Sequence, residues 1–229
     1  MNALAIDCAV SKIAIAAKKE TSLVKLVLDI GIKQSEKLLP AIDYVLGELG
    51  LLPKDLHYTA VTLGPGSFTG LRLGLSSLKA LTLAYNIPLY GIPSLACYAW
   101  PYKKALSTVL SVIEAKEGEY FSQLFIRGEQ LSEAEDKSLP DILKGIDPEA
   151  ELFVCGPGAV HFCEQVTEDA PLYSVHCFSP EIDATESLFA IAEKLSADKV
   201  PPLQDYDGPL YIRKSEAEIV YEQNHPHKD

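Results

Sequence analysis

Three short apolar runs open the chain, at residues 4–8, 13–18 and 23–29, and the gaps between them are too short to hold a crossover helix. Strands joined so closely pair antiparallel, so the chain begins as a meander. A helix follows from Ser35, with Leu38, Leu39, Ile42, Val45, Leu46 and Leu49 at helical period and a stop near Gly50 and Pro53. Residues 58–63 then read as a buried strand, 64–70 as a glycine-rich turn, 71–85 as a second helix and 88–92 as a closing strand.

The order β-β-β-α-β-α-β is that of the ribonuclease-H-like lobe of the actin/Hsp70/sugar-kinase (ASKHA) superfamily, which predicts a second copy from about residue 107. Residues 108–115 and 120–127 alternate across Glu117-Gly118 as a hairpin, 152–155 form a strand and 185–195 a helix. The expected fold is therefore α/β with two lobes: 1–105, and a smaller, abbreviated 106–229 that ends in a polar tail containing His225 and His227. A chain of 229 residues, 48% hydrophobic and 23% charged, has enough apolar material for two modest cores.

Charge narrows the partners. Twenty Lys and Arg against 32 Asp and Glu leave a net charge of -12, which repels phosphate backbones, so direct nucleic-acid binding is not expected. Asp7 and Lys12 interrupt the first apolar stretch, so no export signal is expected, and no apolar run approaches the ~18 residues that a membrane span needs. Five cysteines at irregular spacing suit a reducing compartment, and the expected address is cytoplasmic.

The most informative stretch is Leu63-Gly64-Pro65-Gly66-Ser67-Phe68-Thr69-Gly70-Leu71-Arg72-Leu73-Gly74, which joins a strand to a helix. Gly64 and Gly66 permit a tight turn; Gly70 and Gly74, four apart, let another backbone come close. Ser67 or Thr69 can cap the helix. Two readings stay open: a plain structural turn, or a phosphate or anion turn built on Gly64, Gly66 and Ser67. There is no Walker lysine, and Ser67 does not stand in G-x-S-x-G.

This stretch resembles the TsaB/YeaZ family, a group related to the threonylcarbamoyltransferase TsaD. Ser35-Glu36-Lys37-Leu38-Leu39-Pro40, Ile92-Pro93-Ser94-Leu95, Glu114-Ala115-Lys116-Glu117-Gly118-Glu119-Tyr120 and Pro209-Leu210-Tyr211-Ile212-Arg213 resemble further family segments, in the right order. The resemblance implies a non-catalytic, cytoplasmic subunit in tRNA threonylcarbamoyladenosine biosynthesis. It would bind and activate a TsaD-type transferase, be joined by a TsaE-type ATPase, and form a homodimer when alone. The TsaD relatives carry a metal-binding His-x-x-x-His after the first lobe's last strand, and alignment on Ile92 puts Ser94 and Tyr98 at those places. Neither hydroxyl replaces imidazole as an ordinary divalent-metal ligand, so no metal is expected.

No cofactor is expected either. The superfamily's hydroxyl-rich phosphate turn is eroded here to Asp7-Cys8-Ala9-Val10-Ser11, and Asp7 reads as a strand-end cap on the next turn. A nucleotide would be confined to a partner interface. The alternative, an active small-molecule kinase or ATPase of the same superfamily, needs phosphate-gripping turns in both lobes. Both first-lobe helices carry more apolar residues than one sheet covers, and Leu38, Ile42, Leu75 and Leu78 are the expected helical-bundle interface. Cys155, His161, Cys163, His176 and Cys177 offer zinc donors without zinc spacing, Cys97 reads as a buried small hydrophobe, and Glu117, Glu119 and Asp136 as solvated charges.

Overall fold

The computed structural model describes residues 1–116, 118–178 and 183–213; His225, His227 and Glu117 lie outside the described residues. The opening meander is β1 (Asn2–Asp7), β2 (Ile13–Lys19) and β3 (Ser22–Leu28), paired antiparallel as the short gaps demand. After it come α1 (Gln34–Glu48), β4 (Tyr58–Gly64), α2 (Phe68–Tyr85), β5 (Leu89–Pro93) and the short α3 (Ser94–Ala99). The first sheet has the order β3-β2-β1-β4-β5, with β4 parallel to β1 and β5 parallel to β4.

The second half supplies β6 (Thr108–Lys116), β7 (Glu119–Ile126), β8 (Glu129–Gln130), β9 (Glu135–Ser138), α4 (Leu139–Leu143), β10 (Leu152–Cys155), α5 (Ala159–Asp169), β11 (Val175–Cys177) and α6 (Thr185–Ala197). Its sheet runs β11-β10-β6-β7-β8, with β9 also on β7. The hairpin β6-β7 stands where β1-β2 stands in the first sheet, and the parallel strands β10 and β11 repeat β4 and β5. The chain is thus an α/β protein of the two-lobed ASKHA type. The abbreviation of the second lobe lies in strand length, since β8, β9, β10 and β11 have two to four residues each.

Alternation along β1 decides what packs where. Leu4, Ile6 and Cys8 face α1 and α2, whose Leu38, Ile42, Val45, Leu46, Leu75 and Leu78 complete one core. Ala3 and Ala5 face the opposite way and, with Ala16 and Ala60, make a shallow floor that receives Leu188, Phe189, Ile191 and Ala192 of α6. Small residues on the sheet let this helix approach closely, and each large side chain buried there contributes about 1.5–3 kcal/mol. Helix α6, in the second half by sequence, thus lies on the first sheet. Between the sheets sits α3, which touches β4 and β5 on one side and β6 and β7 on the other.

At the end of β1, Asp7 turns into the α6 side and is buried. One carboxylate oxygen accepts from Ala9 N–H at 3.1 Å and Thr62 Oγ1 at 3.1 Å. The other accepts from the Tyr98 hydroxyl at 2.9 Å and Ala184 N–H, at the entrance to α6, at 3.0 Å. The turn-capping role expected for Asp7 is thus present, with β4, α3 and α6 added. Burial pushes the carboxyl above its ordinary 3.8, and the four donors pull it part of the way back.

An asparagine side chain in the place of Asp7 would, in either orientation, aim its NH2 at a backbone N–H, because the two hydroxyls can turn but the N–H groups cannot. Asp7→Asn is expected to lose roughly 1–3 kcal/mol of stability in urea unfolding, and Asp7→Ala at least about 3, since two buried N–H groups then lack partners. The sign with pH follows from the raised folded value: the protonated carboxyl is favoured in the folded chain. The wild-type margin over Asp7→Asn should be largest below about pH 4 and shrink as pH rises through that folded value. Urea titrations of both proteins at several pH values read this directly, and a margin that grows with pH would contradict it.

Candidate functional site

Between the two sheets opens a cleft of about 1090 Å³. Its first-lobe wall is Ala9, Val10 and Ser11 after β1, with Pro65, Gly66, Ser67 and Phe68 at the start of α2. The second-lobe wall is Ile113, Glu114 and Ala115 of β6, Phe121 of β7 and Pro157. Residues 210–213 and Arg72 complete the lining.

The glycine-rich turn is built by close approach. A Cβ on Gly66 would stand 2.1 Å from the Ala9 carbonyl oxygen, the same oxygen that accepts from Ser67 N–H at 2.7 Å. Gly64 has φ +120°, and a Cβ there would stand 2.3 Å from the Leu210 carbonyl oxygen. The Ser67 hydroxyl accepts from Gly70 N–H at 3.2 Å and is the N-cap of α2. Gly70 and Gly74 do admit a neighbour, and that neighbour is Cys8: added Cβ atoms would lie 2.4 Å from its carbonyl oxygen and 2.4 Å from its sulfur. Burial pushes the Cys8 thiol far up, which keeps it protonated and inert.

Ser94 and Tyr98 stand one helical turn apart on α3 and both are buried. Ser94 Oγ accepts from Gly64 N–H at 3.1 Å, and the Tyr98 hydroxyl is given to Asp7. Burial, followed by the nearby Asp7 charge, holds the Tyr98 phenol well above its usual range. These hydroxyls therefore tie the glycine-rich turn and the end of β1 to the interlobe helix. Cys97 is fully buried among apolar residues, as expected of a small hydrophobe.

Two expectations need correction. Leu38, Ile42, Leu75 and Leu78 are 0–5% exposed and belong to the core against the sheet, so they are not available to a partner. Helical period places them on the stripes that face the first sheet, α1 over β2 and β3 and α2 over β4 and β5, and the large apolar residues that α1 and α2 do expose are Leu39, Tyr44, Leu83 and Tyr85. Glu119 and Asp136 are not merely solvated: Arg213 pairs with both, at 2.6 Å to Asp136. Of the zinc candidates only Cys163 and Cys177 are neighbours, and no group of three forms among the described residues. His161 faces Glu114 at 3.2 Å, His176 faces Glu151 at 3.7 Å and stacks on Phe153, and Cys155 is buried on β10.

One feature of the site was missed in the sequence although a literal signal exists. Gly156-Pro157-Gly158 after β10 repeats Gly64-Pro65-Gly66 after β4, and Pro157 faces Pro65 across the cleft lining. It too is built by close approach, here to β6, with the contact at the other glycine: a Cβ on Gly156 would lie 2.5 Å from the Val112 carbonyl oxygen, which accepts from Gly158 N–H at 3.1 Å.

Comparison with known proteins adds the family context. A family model described as TsaD, tRNA N6-adenosine threonylcarbamoyltransferase, matches residues 32–144. The chain is 33% identical over 132 residues to the tRNA threonylcarbamoyladenosine biosynthesis protein TsaB of Buchnera aphidicola, spanning 56% of this chain and 62% of that one, less than two thirds of its length. An uncharacterized Mycobacterium tuberculosis protein is 30% identical over 183 residues, covering 80% of this chain and 76% of its own. Among solved structures, YeaZ from Pseudomonas aeruginosa superposes with a TM-score of 0.73 at 20% identity, covering 92% of this chain and 99% of that chain.

The glycine-rich turn gives a direct test. Gly66→Ala forces the Ala9 carbonyl away and should cost about 3 kcal/mol in urea unfolding, with faster hydrogen exchange at the Ser67 amide. Gly118→Ala, where an added Cβ meets open space but φ is +74°, should cost only about 1 kcal/mol. Equal losses at the two positions would show that close packing against Ala9 is not what the turn requires.

Proposed function

We propose that this chain, a member of the TsaB/YeaZ family, is a non-catalytic subunit in tRNA threonylcarbamoyladenosine biosynthesis, which binds and activates a TsaD-type transferase. The observation that carries the reading is the engagement of Ser94 and Tyr98. At the places where the resemblance sets the transferase's metal-binding imidazoles, this chain has two buried hydroxyls committed to Gly64 N–H and to Asp7. Groups held in this way reinforce the scaffold and leave no imidazole to bind a metal there.

The surface for the partner is the outer side of α1 and α2. Leu39, Tyr44, Leu83 and Tyr85 are 47–73% exposed there, a set of large apolar side chains of the kind that anchors helix-to-helix interfaces. A second copy of the chain covers the same side when the transferase is lacking, and a TsaE-type ATPase joins the pair. With a net charge of -12, this subunit leaves tRNA contacts to its partner. No described helix is long and apolar enough to cross a membrane, and the cytoplasm is the compartment we assign.

The second reading, an active small-molecule kinase or ATPase, is favoured by the cleft with its facing Gly-Pro-Gly turns. In that reading Gly64, Gly66 and Ser67 hold a phosphate. Against it stands the use of Ser67 Oγ as the acceptor for Gly70 N–H and of Ser67 N–H as the donor to Ala9.

Size-exclusion chromatography with light scattering, on the chain mixed with the TsaD-type protein of its organism, separates the readings. A one-to-one complex is expected, lost in the double variant Leu39→Glu/Leu83→Glu, whose exposed positions leave folding intact by circular dichroism. Leu78→Glu is the contrasting control, because it buries a charge in the core and should unfold the chain. No complex, together with steady ATP turnover by the purified chain, would hand the assignment to the second reading.

A further inference from the structure

After α6 the chain runs without regular structure from residue 201 to 213, yet it is tied down at five places. Leu203 N–H donates to the Leu89 carbonyl at 2.8 Å, and Leu210 N–H donates to the Leu63 carbonyl at 2.8 Å. Between them the Lys79 ammonium gathers three carbonyls, those of Gln204, Asp205 and Asp207, at 3.2, 2.6 and 2.6 Å. Tyr211 stacks on Phe68 with ring centroids 4.9 Å apart, and its hydroxyl accepts from Arg72 Nε at 2.7 Å. Arg72 in turn lies over the Phe68 ring at 3.8 Å. All four of these attachments are to the first lobe. The fifth crosses the cleft: Arg213 pairs with Glu119 of β7 and Asp136 of β9.

The first lobe is shaped for this segment. A Cβ on Gly64 would strike the Leu210 carbonyl oxygen at 2.3 Å; one on Gly91 would meet Leu63 Cδ1 at 2.5 Å first and Leu203 Cδ1 at 2.7 Å next. Gly64 therefore keeps the path of the segment open, and Gly91 admits Leu63 and Leu203 together. The two ends of the path differ in physics. Backbone bonds, the solvent-accessible Lys79 ammonium held by three neutral carbonyls, and stacked rings hold the first-lobe part; none of these is a pairing of opposite full charges, so salt weakens them little. The side chains of Arg213, Glu119 and Asp136 are 24, 45 and 17% exposed, and theirs is the attachment made of opposite full charges, with Glu119 the member most open to water, so screening and competing ions act on it first.

We propose that residues 201–213 form a strap with a fixed half and a releasable half: it is anchored on the first lobe and latched to the second through Arg213, and ionic competition at this latch opens the interlobe cleft. The strap also lines that cleft with residues 210–213, so release changes both the spacing of the lobes and the access to Pro65, Pro157 and Ser11. This inference does not depend on the partner assigned above.

Distances between spin labels at Ser76 on α2 and Glu149 in the second lobe, in a Cys177→Ser background, read the latch. At low salt the chain with native Arg213 should give one narrow distribution, Arg213→Ala a longer and broader one, and Arg213→Lys a distribution between them. Raising salt to about 1 M, where the screening length falls to about 3 Å, should move the native-latch distribution toward that of Arg213→Ala and leave the variant unchanged. Through the same titration the Leu210 amide should keep its protection from hydrogen exchange, because its anchor is on the fixed half. A distribution that is indifferent to salt and to Arg213→Ala would overturn the latch, and loss of Leu210 protection in step with lobe opening would overturn the division into two halves. The salt arm needs no change at Arg213, so a poorly folding variant does not blunt the test.

Discussion

The Asp7 carboxylate is the point on which the architecture converges. It ends the first strand, and its four donors come from the turn after β1, from β4, from the interlobe helix α3 and from the entrance to α6. The last three are remote from Asp7 in sequence, so a single group closes contacts across most of the chain. A buried carboxylate is costly to desolvate, and the four donors recover part of that cost. The shallow alanine floor beside it follows from the same demand, because α6 must lie close enough for Ala184 N–H to reach the carboxylate. Removing the floor by enlarging Ala3 or Ala5 would act on Asp7 at a distance, through the position of that helix.

Close approach is the second organising constraint, and it acts on the other face of β1. Cys8 points away from Asp7 and nests against Gly70 and Gly74, while the carbonyl of Ala9 touches Gly66. The start of α2 is thereby pressed onto the end of β1 with no side chain between them. A turn that grips phosphate leaves its backbone N–H groups free for the anion. Here Ser67 N–H is given to Ala9, Gly64 N–H to Ser94 and Gly70 N–H to the Ser67 hydroxyl. Donors that satisfy one another rigidify the turn and reduce what it offers to a ligand.

Much of the first lobe was legible because its signals are local. Short gaps set the meander, helical period gave α1 and α2, and the glycine spacing announced the approach to Cys8. The interface leucines failed for a reason that is also physical. Periodicity marks a stripe without saying which side of it meets the sheet, and Leu38, Ile42, Leu75 and Leu78 proved to be the inward stripe. In the second lobe α5 was readable in principle, since Ala159, Phe162, Cys163 and Val166 recur at helical spacing, but its cysteine and histidine drew attention to metal chemistry. The pairing of Arg213 with Glu119 and Asp136 had no sequence signal at all, because charge complementarity across 77 and 94 residues carries no period.

The duplicated topology makes the differences between lobes informative. Both lobes present a Gly-Pro-Gly turn to the cleft, but only the first backs its turn with Asp7, Ser94 and Tyr98. On the second side the facing wall is Ile113 and Glu114, and Glu114 is turned toward His161. Cleft closure around an anion would need positive charge there, and of the two arginines in the lining, Arg213 already faces two carboxylates while Arg72 is laid on an aromatic ring. The polar groups of the cleft are thus largely spent on one another and on the strap. Internal contacts do the holding that a bound ligand would otherwise do in the cleft, and this favours the scaffold reading over the ATPase one.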